Sequence, residues 1–130
     1  MMNILKANTI IYCRLFEETV HFYQNSLAFP ISFSKRWFVE FAVNSHARLS
    51  VADAKHATIK SSGGQGLTLS FEVEHIETWF EKLKSRGLNP SDIKTHPWGA
   101  LVFHILDPEG NRLEFWASIH GDEKKPHGSS

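Results

Sequence analysis

At 130 residues and 42% hydrophobic, the chain carries enough apolar material for one core and too little for two independent domains of ordinary size. Fourteen Lys and Arg balance fourteen Asp and Glu, so the composition offers no basic face to nucleic acid or to anionic lipid. The single Cys13 excludes an intrachain disulfide and a CxxC site, and no apolar run approaches the ~20 residues of a membrane span; with no signal-peptide pattern at Met1-Met2-Asn3, a cytoplasmic protein is the expectation.

Residues 4–12 alternate as a strand covered on both sides would, with Thr9, Ile11 and Cys13 on one face and Asn8, Ile10 and Tyr12 on the other. From Phe16 the spacing lengthens to Phe16, Val20, Tyr23 and Leu27, with Phe22 beside them, which predicts an amphipathic helix ended by Ala28-Phe29-Pro30. Residues 37–43 and 47–52 read as paired strands about the turn Asn44-Ser45-His46, while 29–36 shows no pattern and reads as a loop. Residues 54–66 are rich in Lys, Ser and Gly and predict a flexible linker.

After the linker the pattern begins again. Residues 67–73 form a predicted strand, 76–86 a helix with Ile76, Phe80 and Leu83 at stripe positions and Gly87 as its stop, and 91–96 a short strand. Residues 101–106 and 111–117 flank Asp107-Pro108-Glu109-Gly110-Asn111, whose Pro sets φ and whose Gly and Asn accept positive φ, so this stretch predicts a hairpin. On its second strand Leu113 and Phe115 point one way and Arg112, Glu114 and Trp116 the other. The helix of the first half recurs sixty residues on, and Arg48-Leu49-Ser50-Val51 recurs sixty-four residues on as Arg112-Leu113-Glu114-Phe115.

The expected fold is therefore α+β: two β-α-β-β-β modules, residues 4–53 and 67–118, joined by the linker 54–66 into a single domain 1–118. The modules pair their curved mixed sheets around a central cavity with the helices outside, and 119–130 form a flexible tail. The helix-facing sides carry Leu49, Val51, Leu69, Phe71, Phe103, Ile105, Leu113 and Phe115. The opposite sides, with Asn8, Tyr12, Phe38, Glu40, Ser50, Thr68, Trp98, His104, Glu114 and Trp116, have the mixture of aromatics and sparse polar groups of a small-molecule pocket. Trp37 falls on the helix side by parity and is expected in the core. Cys13, on the same side without a basic neighbour, is not expected to be a reactive thiol.

The repeat, the 14–23 stretch ending in Phe22-Tyr23 and followed by Leu27, Pro97-Trp98-Gly99, and above all the 107–111 turn followed by Glu114 resemble the vicinal oxygen chelate superfamily of glyoxalases, bleomycin-resistance proteins and extradiol dioxygenases. In metal-dependent members of that family the ligands come from the first and last strand of each module, and by the resemblance those places fall on Asn8, Ser50, Thr68 and Glu114. Only Glu114 offers the donor a transition metal needs. The extradiol signature is likewise incomplete, since it has a Tyr where His104 stands and presupposes two His where Asn8 and Thr68 stand.

The chain therefore reads as most like the metal-free bleomycin-resistance branch: a homodimeric binder that sequesters an aromatic or cationic molecule, with no cofactor and no covalent chemistry. In that reading Trp98, Trp116, Tyr12 and Phe38 form the apolar wall, and Glu40, His104 and Glu114 orient polar groups. A rival is a lyase, isomerase or dioxygenase whose divalent metal rests on Glu40, His104 and Glu114, with Glu114 and His104 as the candidate catalytic residues. Another is a structural or regulatory dimer with a vestigial cavity. The bland reading of Glu114 is a pair with Arg48 or Arg112, that of His104 a hydrogen bond to a carboxylate, and that of the aromatics simple space filling.

Overall fold

The computed structural model describes residues 2–119. The predicted tail lies outside the described residues except for Ile119, whose N–H donates to the Gly99 carbonyl at 2.8 Å. The chain divides into two compact units, and the division departs from the repeat boundary. One unit holds the residues up to Gly66 together with Asp107–Asn111, and the other holds Leu67–Leu106 and the chain from Arg112 onward.

In the first unit β1 (Ala7–Cys13) lies parallel to β4 (Ala47–Asp53), which pairs antiparallel with β3 (Phe38–Ala42), and β3 in turn with β2 (Ile31–Lys35). The strand order is β1-β4-β3-β2. The apolar side of this sheet, with Ile11, Val39, Phe41, Leu49 and Val51, is buried. Strand β2 was not legible: all five residues are exposed, so no burial alternation marks it, and a register shift between Ile31 and Phe33 breaks its pattern further.

The first helix is also not the regular one predicted. α1 runs only over Phe16–His21 and then widens into a π-turn over Phe22–Ser26, closed by the Leu27 N–H on the Phe22 carbonyl at 3.1 Å. The wider turn brings the adjacent Phe22 and Tyr23 inward together, and Thr19 rather than Val20 is the innermost residue of the preceding turn. Thr19 is accommodated there because its hydroxyl donates to the Leu15 carbonyl at 2.6 Å.

The second unit repeats the plan. β5 (Thr68–Glu72) is parallel to β8 (Arg112–Ser118), followed by β7 (Ala100–Leu106) and β6 (Lys94–His96), in the order β5-β8-β7-β6. Its helix α2 (Ile76–Ser85) covers the apolar face, with Phe80 edge-on to Phe103 at 5.6 Å and Trp79 stacked on Phe115 at 5.2 Å. Gly87, at φ 84°, ends it as predicted, and the Leu88 N–H returns to the Leu83 carbonyl. Strand registers reproduce the repeat: Asn8 faces Arg48 as Thr68 faces Arg112, and Glu40 faces Ser50 as His104 faces Glu114. The architecture is thus α+β, two four-stranded mixed sheets each built as β-α-β-β-β. Among the described residues, no helix is long and apolar enough to cross a membrane.

Candidate ligand-binding faces

Because side chains alternate along a strand, burial of Leu49, Val51 and Phe41 leaves Asn8, Ile10, Tyr12, Phe38, Glu40, Arg48 and Ser50 on the other face of the first sheet. The structure does bring the predicted residues of this unit together there. Tyr12 and Phe38 both flank Ala52, while Phe33 from β2 approaches Phe38 edge-on at 6.4 Å. The polar members satisfy one another. The Ser50 hydroxyl donates to Asn8 Oδ1 at 2.9 Å, and Glu40 Oε2 accepts from the Ser32 hydroxyl at 2.8 Å. Arg48 Nε stands 3.6 Å from the same Glu40 oxygen, too long for a good hydrogen bond, while its Nη1 donates to the Asn44 carbonyl at 2.6 Å. Arg48 was noticed in the sequence only as a pairing partner; in the structure its guanidinium is largely buried within this face.

On the second sheet the corresponding face carries Thr68, Ser70, Glu72, Val102, His104, Arg112, Glu114 and Trp116. Trp98 leans on Trp116, ring centroids 5.4 Å apart and nearly perpendicular, and is 56% exposed. Within this unit Glu114 Oε2 accepts from the Ser70 hydroxyl at 2.8 Å, and His104 is its cross-strand neighbour. Burial holds the His104 pKa below its ordinary value, Arg112 and Lys94 add to the effect, and Glu114 opposes it. The depression favours the neutral imidazole and makes His104 a weaker base than a free histidine.

Whether these residues suit a divalent metal is a question of donor chemistry. Of the four places the family resemblance indicates, Ser50 is fully buried and hydrogen-bonded to Asn8, Thr68 is a neutral hydroxyl, and Glu114 alone is a carboxylate. That set does not fit a transition metal. Glu40 is engaged within its own unit by Ser32 and Arg48, and among the described residues no three His, Cys, Asp or Glu side chains are grouped as ligands.

Trp37 is not core; it sits in the turn between β2 and β3, where strand parity no longer applies, and is 39% exposed with His56 stacked on it at 3.7 Å and Arg36 over the ring. Cys13 is fully buried, and burial, seconded by the charge of Glu109, pushes its thiol up to about 12. It is chemically quiet.

The functionally placed residues that pattern reading missed are in the hairpin turn. Asp107, Glu109 and Asn111 are all buried. Tyr23 donates its phenol proton to Asp107 Oδ2 at 2.7 Å, and Asn111 Nδ2 donates to the same oxygen at 2.9 Å. Burial and then the Asp107 charge push the Tyr23 phenol well above its usual value. Glu109, its side chain 2% exposed, accepts from the backbone N–H of Arg14 at 2.8 Å and of Leu15 at 2.9 Å and from the Ser61 hydroxyl. Burial alone would raise its pKa; the donors and the Arg14 guanidinium outweigh that and hold it below the usual carboxylate value. The only hint in the sequence was two carboxylates in a turn out of phase with both strands.

The family model for the Glyoxalase/Bleomycin resistance protein/Dioxygenase superfamily matches residues 7–115, spanning both modules. The chain belongs to this superfamily. The uncharacterized protein YraH of Bacillus subtilis (strain 168) is 28% identical over a 119-residue alignment that covers 80% of this chain and 91% of YraH. Among solved structures, the chain resembles TnmS3, an antibiotic binding protein from Streptomyces sp. CB03234, with a TM-score of 0.75 at 18% identity over 91% of this chain and 98% of that one. It also resembles lactoylglutathione lyase from Agrobacterium tumefaciens, with a TM-score of 0.72 at 14% identity over 92% and 96% of the two chains. At such identities these likenesses establish the superfamily fold and no shared activity.

Proposed function

We infer that this superfamily member is a small-molecule-binding protein that sequesters an aromatic or cationic ligand without metal and without covalent chemistry. The observation that carries the reading is the Trp98–Trp116 pair, an indole 56% exposed beside a second one on the open face of the second sheet, with Glu114 two residues along the same strand face. Exposed indoles edged by a carboxylate attract flat and cationic molecules through burial and cation–π contact. The hydroxyls of Ser50 and Ser70 engage Asn8 and Glu114, so these polar groups are held in place without needing an ion. The likeness to an antibiotic binding protein is in keeping with this reading. The protein acts in the cytoplasm as a homodimer, a state that light scattering on the purified chain tests directly.

The deciding experiment is a thermal-shift screen of planar and cationic compounds, run with chelator and with added Zn, Ni, Mn or Fe. A ligand at a hundred times its Kd stabilises by about 2.7 kcal/mol, a shift easily read. The expected result is a stabilising compound whose effect is the same with chelator and is lost in Trp98→Ala. Stoichiometric metal in protein purified without chelator, with binding or turnover lost together with that metal in Glu114→Gln, would overturn the reading in favour of a metal-dependent lyase, isomerase or dioxygenase.

A further inference from the structure

A concavity in the first unit shares no residue with the aromatic faces. It measures about 420 Å³ and is lined by Arg14, by Ala54 and Lys55 of the short 3-10 turn Ala54–His56, and by Lys60, Ser61, Ser62 and Gly63 of the linker. Three cationic side chains converge on it, and no carboxylate is among its lining residues. We propose that this cleft binds a multivalent oxyanion of the phosphate monoester or diphosphate class.

Two carboxylates stand nearby, and neither is available to neutralise the lysines. Asp53 is buried, and its Oδ1 accepts the Lys55 N–H at 3.0 Å. Glu109 is saturated by the Arg14 and Leu15 N–H groups and by Ser61. Glu109 therefore builds the wall of the cleft by anchoring Ser61, whose Oγ in turn receives the Gly63 N–H at 3.0 Å. The rest of the wall is held by backbone contact. Gly64, at φ 84°, lies so near the turn that a Cβ there would stand 2.1 Å from the Gly110 carbonyl oxygen. The linker that composition marked as flexible is thus pinned at its centre, and Lys60 and Ser62 are presented from a preorganised edge.

Like charges gathered around a concave surface focus a positive potential, and an oxyanion relieves their mutual repulsion while accepting hydrogen bonds from lysine and serine. Lysine serves such a ligand as a flexible point charge, so phosphate-type groups suit the cleft better than a planar carboxylate that calls for a bidentate arginine. Arg14, its side chain 77% exposed, already stands with Nε 3.7 Å from Glu109, so Lys55 and Lys60 supply most of the charge that meets the ligand.

The test is titration of the full chain with inorganic phosphate and with pyrophosphate, followed by amide chemical shifts. The proposal expects saturable shifts centred on Lys55 and residues 60–64, tighter for pyrophosphate than for phosphate, and weakened by salt as exposed charges are screened. Lys55→Gln/Lys60→Gln removes two exposed charges with little consequence for folding and should weaken binding roughly tenfold or more at unchanged melting temperature. Gly64→Ala should weaken it with the charges intact by displacing the wall. Shifts that fail to saturate by about 10 mM, that map elsewhere, or that persist unchanged in the double variant would overturn the proposal. The same double variant should keep its response to the aromatic ligand, and Trp98→Ala its response to phosphate, so the two sites stand or fall separately.

Discussion

Replacing Glu109 by Gln tests the most concentrated set of polar contacts in the first unit. The carboxylate receives three donors on two oxygens, the N–H groups of Arg14 and Leu15 at 2.8 and 2.9 Å and the Ser61 hydroxyl, while 2% of its side chain is exposed. A glutamine keeps one acceptor oxygen and turns an NH2 toward the other donors, so one or two charge-assisted hydrogen bonds are lost and a backbone N–H faces another donor. At about 1.5–3 kcal/mol for a hydrogen bond to a charged group, the loss is roughly 2–4 kcal/mol, or on the order of 10 °C in Tm for a chain of this size. The Arg14 guanidinium, 3.7 Å away on a side chain 77% exposed, adds little, and Arg14→Ala should stay within about 1 kcal/mol. Urea unfolding at pH 7 measures both. The same variant carries a pH signature. Because the folded pKa of Glu109 is depressed, its contribution is fully present above the unfolded value of about 4.3 and is lost as pH falls through the folded one. The gap between wild type and Glu109→Gln should therefore be widest near neutrality and narrow below pH 4. A change under about 0.5 kcal/mol, or a gap that does not narrow in acid, would refute the argument.

Tyr23→Phe removes the buried phenol donor to Asp107 and should destabilise by about 1–3 kcal/mol, moderated because Asn111 still donates to the same oxygen; denaturant unfolding measures it. Cys13, buried and with its thiol pushed up to about 12, should resist iodoacetamide at pH 8 in the native state and react only after unfolding, so labelling of native protein would contradict its placement. The His104 ring should titrate below the ordinary value of about 6.5 by NMR, and Arg112→Gln should move it upward by removing one cause of the depression.

The parts of this fold that sequence reveals are those governed by local period. Leu113 and Phe115 alternate with Glu114 and Trp116 because one face of β8 is buried, and the repeat of that pattern after sixty-four residues was enough to draw both sheets apart from the edge strand β2. What escaped depends on contacts far along the chain. Glu109 is a turn residue by every local criterion, yet its partners Arg14 and Leu15 lie more than ninety positions away. Trp37 obeyed a parity that stops at the turn, and β2 is marked by pairing with β3 alone, since none of its side chains is buried. The same reason explains the linker, whose glycines advertise freedom locally while Gly64 packs tightly against the Gly110 backbone. Of the candidate site, the membership of each face was legible. The internal pairing was not, because Ser50 with Asn8 and Ser70 with Glu114 are hydrogen bonds between strands distant in sequence.

Comparing equivalent positions of the two modules separates what the fold requires from what the chemistry uses. On the helix side the pairs are alike: Leu49 and Leu113, Val51 and Phe115, Val39 and Phe103 are all buried and apolar. On the open side they diverge, with Asn8 against Thr68, Glu40 against His104, Ser50 against Glu114 and Ala52 against Trp116. Burial demands an apolar side chain on the first side, with volume free to differ between modules as in Val51 against Phe115, whereas nothing in the sheet dictates residue type on the second. Under the proposed binding role, the divergence is where a ligand would be told apart. A group bound to the first sheet meets a small, hydrogen-bonded polar cluster with Arg48 beside it, while one bound to the second meets two indoles and a carboxylate. Variants at exposed open-face positions such as Trp98 should alter which compound binds while leaving stability nearly unchanged, and those on the helix side the reverse.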